Sequence, residues 1–185
     1  MMVDVEILDD FPLNYQNHIK SMIEGMPFEL CDITQWELIK QFTHTFYHGR
    51  DNIKTNYCDR FIELFKELPE FKTHNLIRGK INITLPYKKR YSLSPHIDFP
   101  HPNAISYLYY VEDSDGPTVI WNKRYSEEPV DKPFLPWWLK KIKVQPKQGR
   151  LVKLPSDILH SGNVPYNYNS RVVLSLLFAP KFIRF

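Results

Sequence analysis

The chain of 185 residues has little that would place it outside the cell or in a membrane. It contains two cysteines, Cys31 and Cys58, which we expect to be reduced thiols, although the sequence leaves a disulfide open. No run approaches about eighteen apolar residues, which excludes an ordinary transmembrane helix. The first residues hold neither a basic region nor an apolar core of signal-peptide length. We therefore expect a soluble, cytoplasmic protein with no membrane partner.

An excess of charge of either sign is also missing. Lysine and arginine total 24 and the acidic residues total 21, which leaves a net charge of +3. A balance this small does not indicate a nucleic-acid partner, although it does not exclude one. The aromatic residues make up 15% of the chain, so a sizeable core is available to one domain of this length.

The spacing of apolar residues changes near residue 78. Before it, the spacing predicts helices and short strands. The predicted helices cover residues 14–24, 32–47 and 57–68, and the strands cover residues 3–8 and 28–31. After it, short apolar runs between Pro, Asn and Gly predict an antiparallel sandwich or barrel. These strands cover residues 80–85, 105–111, 118–122, 144–145, 150–154 and 171–178.

We expect one domain over residues 1–185, mainly β with N-terminal helices. In this arrangement residues 1–77 form a helical support layer and residues 78–180 form the β core. Residues 124–143 stand out as a proline-rich insert with adjacent tryptophans. The insert is either a lid over a site or a segment that packs on the helical layer, and we favour packing.

A histidine and an aspartate two residues apart follow a predicted strand over residues 79–85. In extended chain, residues i and i+2 point to the same side, so His96 and Asp98 can bind one metal ion. His160 is the third candidate ligand. Two histidines and one carboxylate with open positions form the facial triad of non-haem iron(II) oxygenases. The His-x-Asp pattern alone is weak evidence, because a chain of this composition holds roughly 0.4 such patterns by chance.

Each of these residues also has an ordinary structural interpretation. His96 would then be a turn histidine beside a solvated aspartate, and His160 a histidine in a polar loop. Arg171 is more informative, because it begins an apolar run and a buried guanidinium needs a carboxylate partner. No acidic residue follows Ser161 in the sequence. The partner is therefore either a small-molecule carboxylate or an acidic residue that is distant in the chain.

On the basis of His96, Asp98, His160 and Arg171, roughly residues 78–178 resemble the Fe(II)- and 2-oxoglutarate-dependent dioxygenases. The chain is similar to small prolyl-4-hydroxylase-like members, including relatives on viral and bacterial genomes. The resemblance implies a double-stranded β-helix, also called a jelly-roll or cupin-like core. It implies that His96, Asp98 and His160 hold Fe(II), and that Arg171 binds the far carboxylate of 2-oxoglutarate.

The resemblance also implies further contacts to 2-oxoglutarate. Ser175 matches a serine or threonine four residues beyond the family arginine. Tyr110, favoured over Tyr109, matches a tyrosine on the strand after His-x-Asp. Tyr87 is the nearest match to another family tyrosine, one residue out of register. The turn over residues 115–118 departs from the family's Gly-Gly-Glu-like pattern.

The resemblance implies a dioxygenase that uses 2-oxoglutarate and O2, with ascorbate as an optional addition. It would hydroxylate a C–H bond of a protein or peptide, in the prolyl manner, or of a small molecule, and release succinate and CO2. Two alternatives stay open. One is a cupin-like metalloenzyme without 2-oxoglutarate, and the other is a non-catalytic binding module of the same fold. Both a monomer and a dimer are compatible with the sequence.

Two further patterns have mainly structural interpretations. His44 and His48 lie four residues apart on the helix predicted over residues 32–47, a possible metal spacing that lacks a third ligand. The basic stretch over residues 88–90 precedes His-x-Asp and could meet an acidic substrate, although a solvated run of charge is the commoner case. Asp157 is predicted to support the turn before His160 and not to bind metal.

Overall fold

The computed structural model describes residues 4–12, 15–32, 39–124 and 139–183. Within them the chain forms eleven strands and three helices. The helices are α1 (Gln16–Glu24), α2 (Cys58–Phe65) and α3 (Glu70–Thr73). The strands are β1 (Glu6–Leu8), β2 (Glu29–Asp32), β3 (Lys40–His48), β4 (Ile53–Lys54), β5 (His74–Thr84), β6 (Ile105–Tyr110), β7 (Thr118–Arg124), β8 (Lys141–Val144), β9 (Leu151–Pro155), β10 (Ile158–Gly162) and β11 (Arg171–Pro180).

A large antiparallel sheet forms the centre of the molecule. Its strand order is β1-β9-β6-β11-β5-β3-β2, and β4 pairs with β3. The strand β11 is buried along its whole length between β6 and β5. Its sequence explains this position, because a nearly continuous apolar run suits a strand that is covered on both faces.

A smaller sheet of strands β10, β7 and β8 faces the large one. The segment that leads into His-x-Asp runs beside β10, with isolated bridges between Ser92 and Asn163 and between His96 and His160. Apolar side chains from both sheets fill the space between them, among them Leu108, Ile120 and Val173. These two facing sheets form the predicted jelly-roll core.

The helices α1 and α2 cover the outer face of the large sheet. Phe61 and Phe65 of α2 are spaced for one face and are fully buried. The ring of Phe61 lies 4.7 Å from that of Phe46 on β3, measured between centroids. Gly79 on β5 makes room for this contact, because a Cβ atom there would lie 2.3 Å from the Phe46 ring. In the described part of the chain, no helix has the length and apolar character needed to span a membrane.

The structure confirms the helices predicted near residues 14–24 and 57–68, and it corrects the one predicted over residues 32–47 where that segment is described, since residues 33–38 lie outside the described residues. Residues 40–48 instead form β3, which pairs with β2 and β5. Its apolar and aromatic residues fit a helical spacing, but its alternation of threonine with larger side chains also fits a strand, and long-range sheet pairing decides between the two. The N-terminal layer is therefore part helix and part sheet. Most of the 124–143 insert lies outside the described residues.

Candidate active site

Two sequence-distant segments bring three metal-binding side chains together. His160 lies on β10, and His96 and Asp98 lie on the segment that runs beside it. The backbones of His96 and His160 exchange two hydrogen bonds of 2.9 Å each. The potential ligand atoms of the three residues all lie within 4.8 Å of one another. This spacing allows one ion to contact all three side chains.

The hydrogen bonds of the two imidazole rings direct the same nitrogen toward the shared space. Nδ1 of His96 lies 3.2 Å from the carbonyl oxygen of Ser94, and Nδ1 of His160 lies 2.9 Å from that of Ile158. Because a carbonyl oxygen only accepts, each Nδ1 carries the hydrogen and each Nε2 keeps a free lone pair. Histidine metal ligands usually have this second hydrogen bond, which sets the orientation of the ring.

The Asp98 carboxylate is held from the large sheet. Arg78 on β5 donates a hydrogen bond to Oδ1, and the Ser106 hydroxyl on β6 donates one of 2.7 Å to Oδ2. Burial alone would raise the pKa of Asp98, but His160, Arg78 and His96 outweigh it and hold this pKa well below the usual range. The carboxylate is therefore ionised and ready to bind a cation.

Part of the His96 ring reaches solvent, yet the surrounding walls of the site still desolvate it. This desolvation, together with the neighbouring His160, lowers the pKa of His96 to about 4. The imidazole is consequently neutral near pH 7, as metal binding requires. We call the group of His96, Asp98 and His160 the metal end of the site.

A buried arginine lies at the opposite end. Only 7% of Arg171 is exposed. Its Nε donates to the carbonyl oxygen of Gly116 at 2.8 Å, its Nη2 donates to Oγ1 of Thr118 at 2.7 Å, and its Cζ lies 5.7 Å from the centroid of the Tyr110 ring. All of these partners are neutral. No carboxylate in the described residues pairs with this guanidinium, whose pKa is lowered by burial.

Two glycines allow the arginine to lie this deep. A Cβ atom on Gly162 would lie 3.0 Å from Nη1 of Arg171. A Cβ atom on Gly116 would lie 2.4 Å from the carbonyl oxygen of Asn163 and 3.2 Å from Cδ of Arg171. The turn over residues 115–118 therefore contributes to the site through close backbone approach. We call Arg171 with Thr118 and Tyr110 the arginine end.

One cavity of about 340 Å³ joins the two ends. Its walls include all three residues of the metal end together with Arg171, Thr118 and Ser175. Its volume lies in the range typical of small-molecule sites. A small dianion that chelates a metal with one end can therefore present its other carboxylate to the arginine.

Comparison with solved structures identifies the fold. An oxidoreductase of the 2OG-Fe(II) oxygenase family from Burkholderia pseudomallei has a TM-score of 0.70 and 13% identity, over 95% of this chain and 84% of that one. HygX from Streptomyces hygroscopicus, solved with nickel and 2-oxoglutarate, has a TM-score of 0.62 and 11% identity, over 98% and 85%. A prolyl-4-hydroxylase from Pseudomonas putida has a TM-score of 0.59 and 14% identity, over 97% and 94%. The chain has the fold of the 2OG-Fe(II) oxygenases. No protein-family model and no curated protein matches the sequence.

Within this oxygenase fold, the residues predicted for the co-substrate occupy different positions. Ser175 is buried and lines the cavity. The Tyr110 hydroxyl donates a 2.6 Å hydrogen bond to Thr118 and so supports the arginine end from behind the cavity wall. Tyr109 points to the other face of the sheet, where its ring packs against Phe65.

Tyr87 is not brought into the group. It is not among the described residues that line the cavity, and its ring packs against a small cluster of Ile39, Leu93 and Val164. The Tyr87 ring also meets the edge of Tyr91, with 6.4 Å between centroids.

Three residues of the site have no counterpart among the residues predicted from the sequence. Arg78 and Ser106 hold Asp98, and Thr118 joins Arg171 to Tyr110. One signal for Arg78 was present, because β5 carries polar side chains at alternate positions, which marks a polar inner face. Ser106 and Thr118 are single polar residues in short apolar strands, and nothing in their spacing distinguishes them.

The remaining histidine and aspartate candidates have structural roles. Nδ1 of His44 lies 2.7 Å from the carbonyl oxygen of Pro27, and His48 lies 3.0 Å from Asp51. In the described residues, the metal end is the one group of three or more potential ligands that lie close together. Asp157 accepts two hydrogen bonds from Arg124, at 2.7 and 2.8 Å, and so supports the turn between β9 and β10.

Proposed function

We propose that the chain is an Fe(II)- and 2-oxoglutarate-dependent oxygenase. The observation that carries this proposal is the pairing of the two ends in one cavity. A group of three potential metal ligands lies at one end, and a buried arginine with no acidic partner among the described residues lies at the other. The fold shared with 2OG-Fe(II) oxygenases supports it independently.

In this proposal His96, Asp98 and His160 would hold Fe(II) through two Nε2 atoms and one carboxylate oxygen. Arg171 would bind the far carboxylate of 2-oxoglutarate, with Ser175 as a neighbouring donor and Thr118 and Tyr110 orienting the guanidinium. Bound iron(II), with 2-oxoglutarate and O2, supplies oxidation of a substrate C–H bond with release of succinate and CO2. The protein supplies the ligand geometry and excludes water from the cavity.

The arginine end favours this function over a cupin-like metalloenzyme that does not use an oxo acid. A buried guanidinium that lacks an anion is costly, and two neutral acceptors offset only part of that cost. A carboxylate in the cavity would supply the missing counter-charge. A site that binds only a metal gives no comparable reason for burying Arg171.

The substrate and the reaction on it are proposed only by class. Hydroxylation of a protein or peptide in the prolyl manner is supported by the similarity to the Pseudomonas putida prolyl-4-hydroxylase. A small-molecule substrate is the second candidate, supported by the size of the cavity. Use of ascorbate, cytoplasmic location, and a single domain that is monomeric or dimeric stay predictions.

An anaerobic titration tests the proposed function directly. Fe(II) and then 2-oxoglutarate are added to the protein while the visible spectrum is recorded. We expect a weak charge-transfer band that requires both additions and that is lost in His160→Ala and Arg171→Ala. The matched control is Arg150→Ala, which removes an arginine paired with Asp9 on the surface.

The other possible results of this titration distinguish the two alternative functions. Iron binding without a band would refute the use of 2-oxoglutarate and support the other metalloenzyme class. Failure to bind iron would leave the non-catalytic binding module. A band that survives in Arg171→Ala would refute the role of Arg171 alone.

A further inference from the structure

A second cation projects into the cavity beside the metal end. Lys80 lies on β5, between Ser175 of β11 and Thr45 of β3 in the register of the sheet. Its side chain lines the same cavity as His96 and Asp98. Arg78, two residues earlier on the same face, is already paired with Asp98. Neither the metal triad nor the arginine end uses Lys80.

In the part of the chain that the structure describes, Lys80 lacks a counter-charge, because no carboxylate there forms an ion pair with it. Desolvation and the neighbouring Arg78 lower the pKa of Lys80, while Asp98 opposes this shift from a distance. A half-buried ammonium in this setting is stabilised when an anion binds next to it.

The charges of the loaded site sharpen the argument, which here rests on the proposed function. Iron(II), Arg78, Arg171 and Lys80 together carry five positive charges, whereas Asp98 and the two carboxylates of 2-oxoglutarate carry three negative ones. Arg78 contacts Asp98, and Arg171 would contact the far carboxylate of 2-oxoglutarate. Among the described residues, Lys80 is then a cation that lines the cavity without a partner of opposite sign.

A neighbouring amide adds a second donor. Asn82 lies one position further along the same face of β5 and also lines the cavity. Its Oδ1 accepts a hydrogen bond of 3.0 Å from Thr43, which directs its NH₂ group away from that contact. An amide donor and an ammonium on one strand, two residues apart, form a suitable pair for the oxygens of one acid group.

The loop that leads into the cavity wall has the same sign of charge. Residues 84–95 contain three basic residues and no acidic one, and all three, over residues 88–90, are exposed. This loop continues into Leu93 and Ser94, which line the cavity, and Leu93 donates a backbone hydrogen bond to Gly162. Basic residues on a loop that continues into the cavity wall raise the local concentration of anions.

We propose that Lys80, assisted by Asn82, binds an anionic group of the primary substrate beside the metal end. The group would be a carboxylate or a phosphate, held as the counter-ion of Lys80 while 2-oxoglutarate occupies Arg171. The primary substrate would then be an acid, and its charged group would fix which C–H bond faces the metal.

The test uses the full chain loaded anaerobically with Fe(II) and 2-oxoglutarate. Inorganic phosphate and, separately, acetate are titrated at constant ionic strength while the charge-transfer band is followed. We expect one of the two anions to perturb the band saturably. In Lys80→Met its apparent affinity should fall about tenfold or more, the range for a lost charge-assisted hydrogen bond. Lys80→Arg should keep the affinity within a few fold, and the matched control is Lys143→Met, which changes an exposed lysine on β8.

Each result has a distinct meaning. Perturbation by phosphate alone assigns a phosphate-bearing substrate, and by acetate alone a carboxylate. Equal affinities in the wild-type protein and Lys80→Met, or no perturbation while the band is present, would overturn the proposal. Loss of the charge-transfer band in folded Lys80→Met would also overturn the proposal, because it would show that Lys80 contributes to the binding of 2-oxoglutarate. Absence of the band in the wild-type protein would refute the proposed function, and this inference with it.

An independent measurement does not depend on the spectrum. The protein loaded with Zn(II) and 2-oxoglutarate is trace-labelled with acetic anhydride, and the modification of each lysine is quantified by mass spectrometry. We expect the anion identified above to slow the acetylation of Lys80 several-fold relative to that of Lys88 and Lys89. Equal protection of all three lysines would show non-specific screening and contradict a site at Lys80.

Discussion

The two ends of the cavity solve the problem of buried charge in opposite ways. At the metal end, Asp98 is matched within the protein by Arg78 and Ser106, and both histidines have their Nδ1 hydrogens bound to carbonyl oxygens. At the arginine end, the described residues hold the cation by neutral acceptors alone. The metal end is therefore stabilised by the fold, whereas in the proposed function the arginine end would be completed by a ligand.

This difference predicts how each end responds to mutation. Removing a residue from the metal end should leave another charge or lone pair without its partner. Removing the arginine should relieve an uncompensated charge and so weaken ligand binding much more than folding.

The largest effect is expected for His160→Ala. Two ligands and a cavity remain, so Fe(II) binding should fall by more than the 10–100-fold typical of losing a supporting residue. Metal content after anaerobic equilibration and desalting measures this loss. The control His18→Ala changes an exposed histidine on α1 and should bind iron normally. Normal iron content in His160→Ala would remove His160 from the metal end.

Arg171→Met should separate ligand binding from folding. We expect the KM for 2-oxoglutarate to rise about 100-fold, because a charge-assisted pair is lost, while Fe(II) affinity stays within a few fold. The free energy of unfolding without ligands should change by less than about 1 kcal/mol, since relief of the buried cation offsets two lost hydrogen bonds. Denaturant unfolding and steady-state kinetics together check both parts. A large loss of stability with an unchanged KM would reverse the assignment.

Arg78→Met should show the opposite pattern. Asp98 would stay buried without its cation, and we expect the free energy of unfolding to fall by about 2–3 kcal/mol. This loss of stability is smaller than that expected for a fully buried ion pair, because the Arg78 side chain is 23% exposed. Fe(II) affinity should also fall 10–100-fold, since the carboxylate loses its support. In Arg150→Met, which breaks a surface pair with Asp9, stability should change by under about 1 kcal/mol. Equal costs in the two variants would contradict the contrast.

The smallest effect is expected for Thr118→Val. This change keeps the shape of the side chain but removes the oxygen that accepts from Arg171 and Tyr110. The affinity for 2-oxoglutarate should fall about 5–10-fold, the equivalent of one net hydrogen bond of roughly 1 kcal/mol. Thr118→Ser keeps the hydroxyl and should bind like the wild-type protein. If the valine and serine variants bind alike, Thr118 does not orient Arg171.

The parts of the site that sequence reasoning reached are those with chemistry visible in short patterns. His96 and Asp98 follow from spacing in extended chain, and Arg171 from a charge at the start of an apolar strand. His160 is predicted as a ligand, but no strand is predicted around it, and a polar loop is only its ordinary structural interpretation. The structure places it on β10, a five-residue strand that is entirely buried.

The parts that sequence reasoning missed depend on pairing between distant strands. Residues 40–48 fit both a helical and a strand spacing, and only the neighbours β2 and β5 decide for a strand. Arg78 meets Asp98 because the sheet register places β5 opposite the segment beside β10. The residues that support the site can therefore be identified only from tertiary contacts, whereas its candidate ligands can be identified from local sequence patterns.

Asp98 connects the two sheets of the molecule. Its backbone nitrogen donates to Ser156 at the turn before β10, while its carboxylate accepts from Arg78 and Ser106 on the large sheet. A metal ion bound by both Asp98 and His160 would add a third link at the same point. Metal binding would therefore hold the two sheets together. Amide hydrogen exchange at His96 and His160 should then slow on metal binding, because separation of the two sheets at this point would require release of the ion.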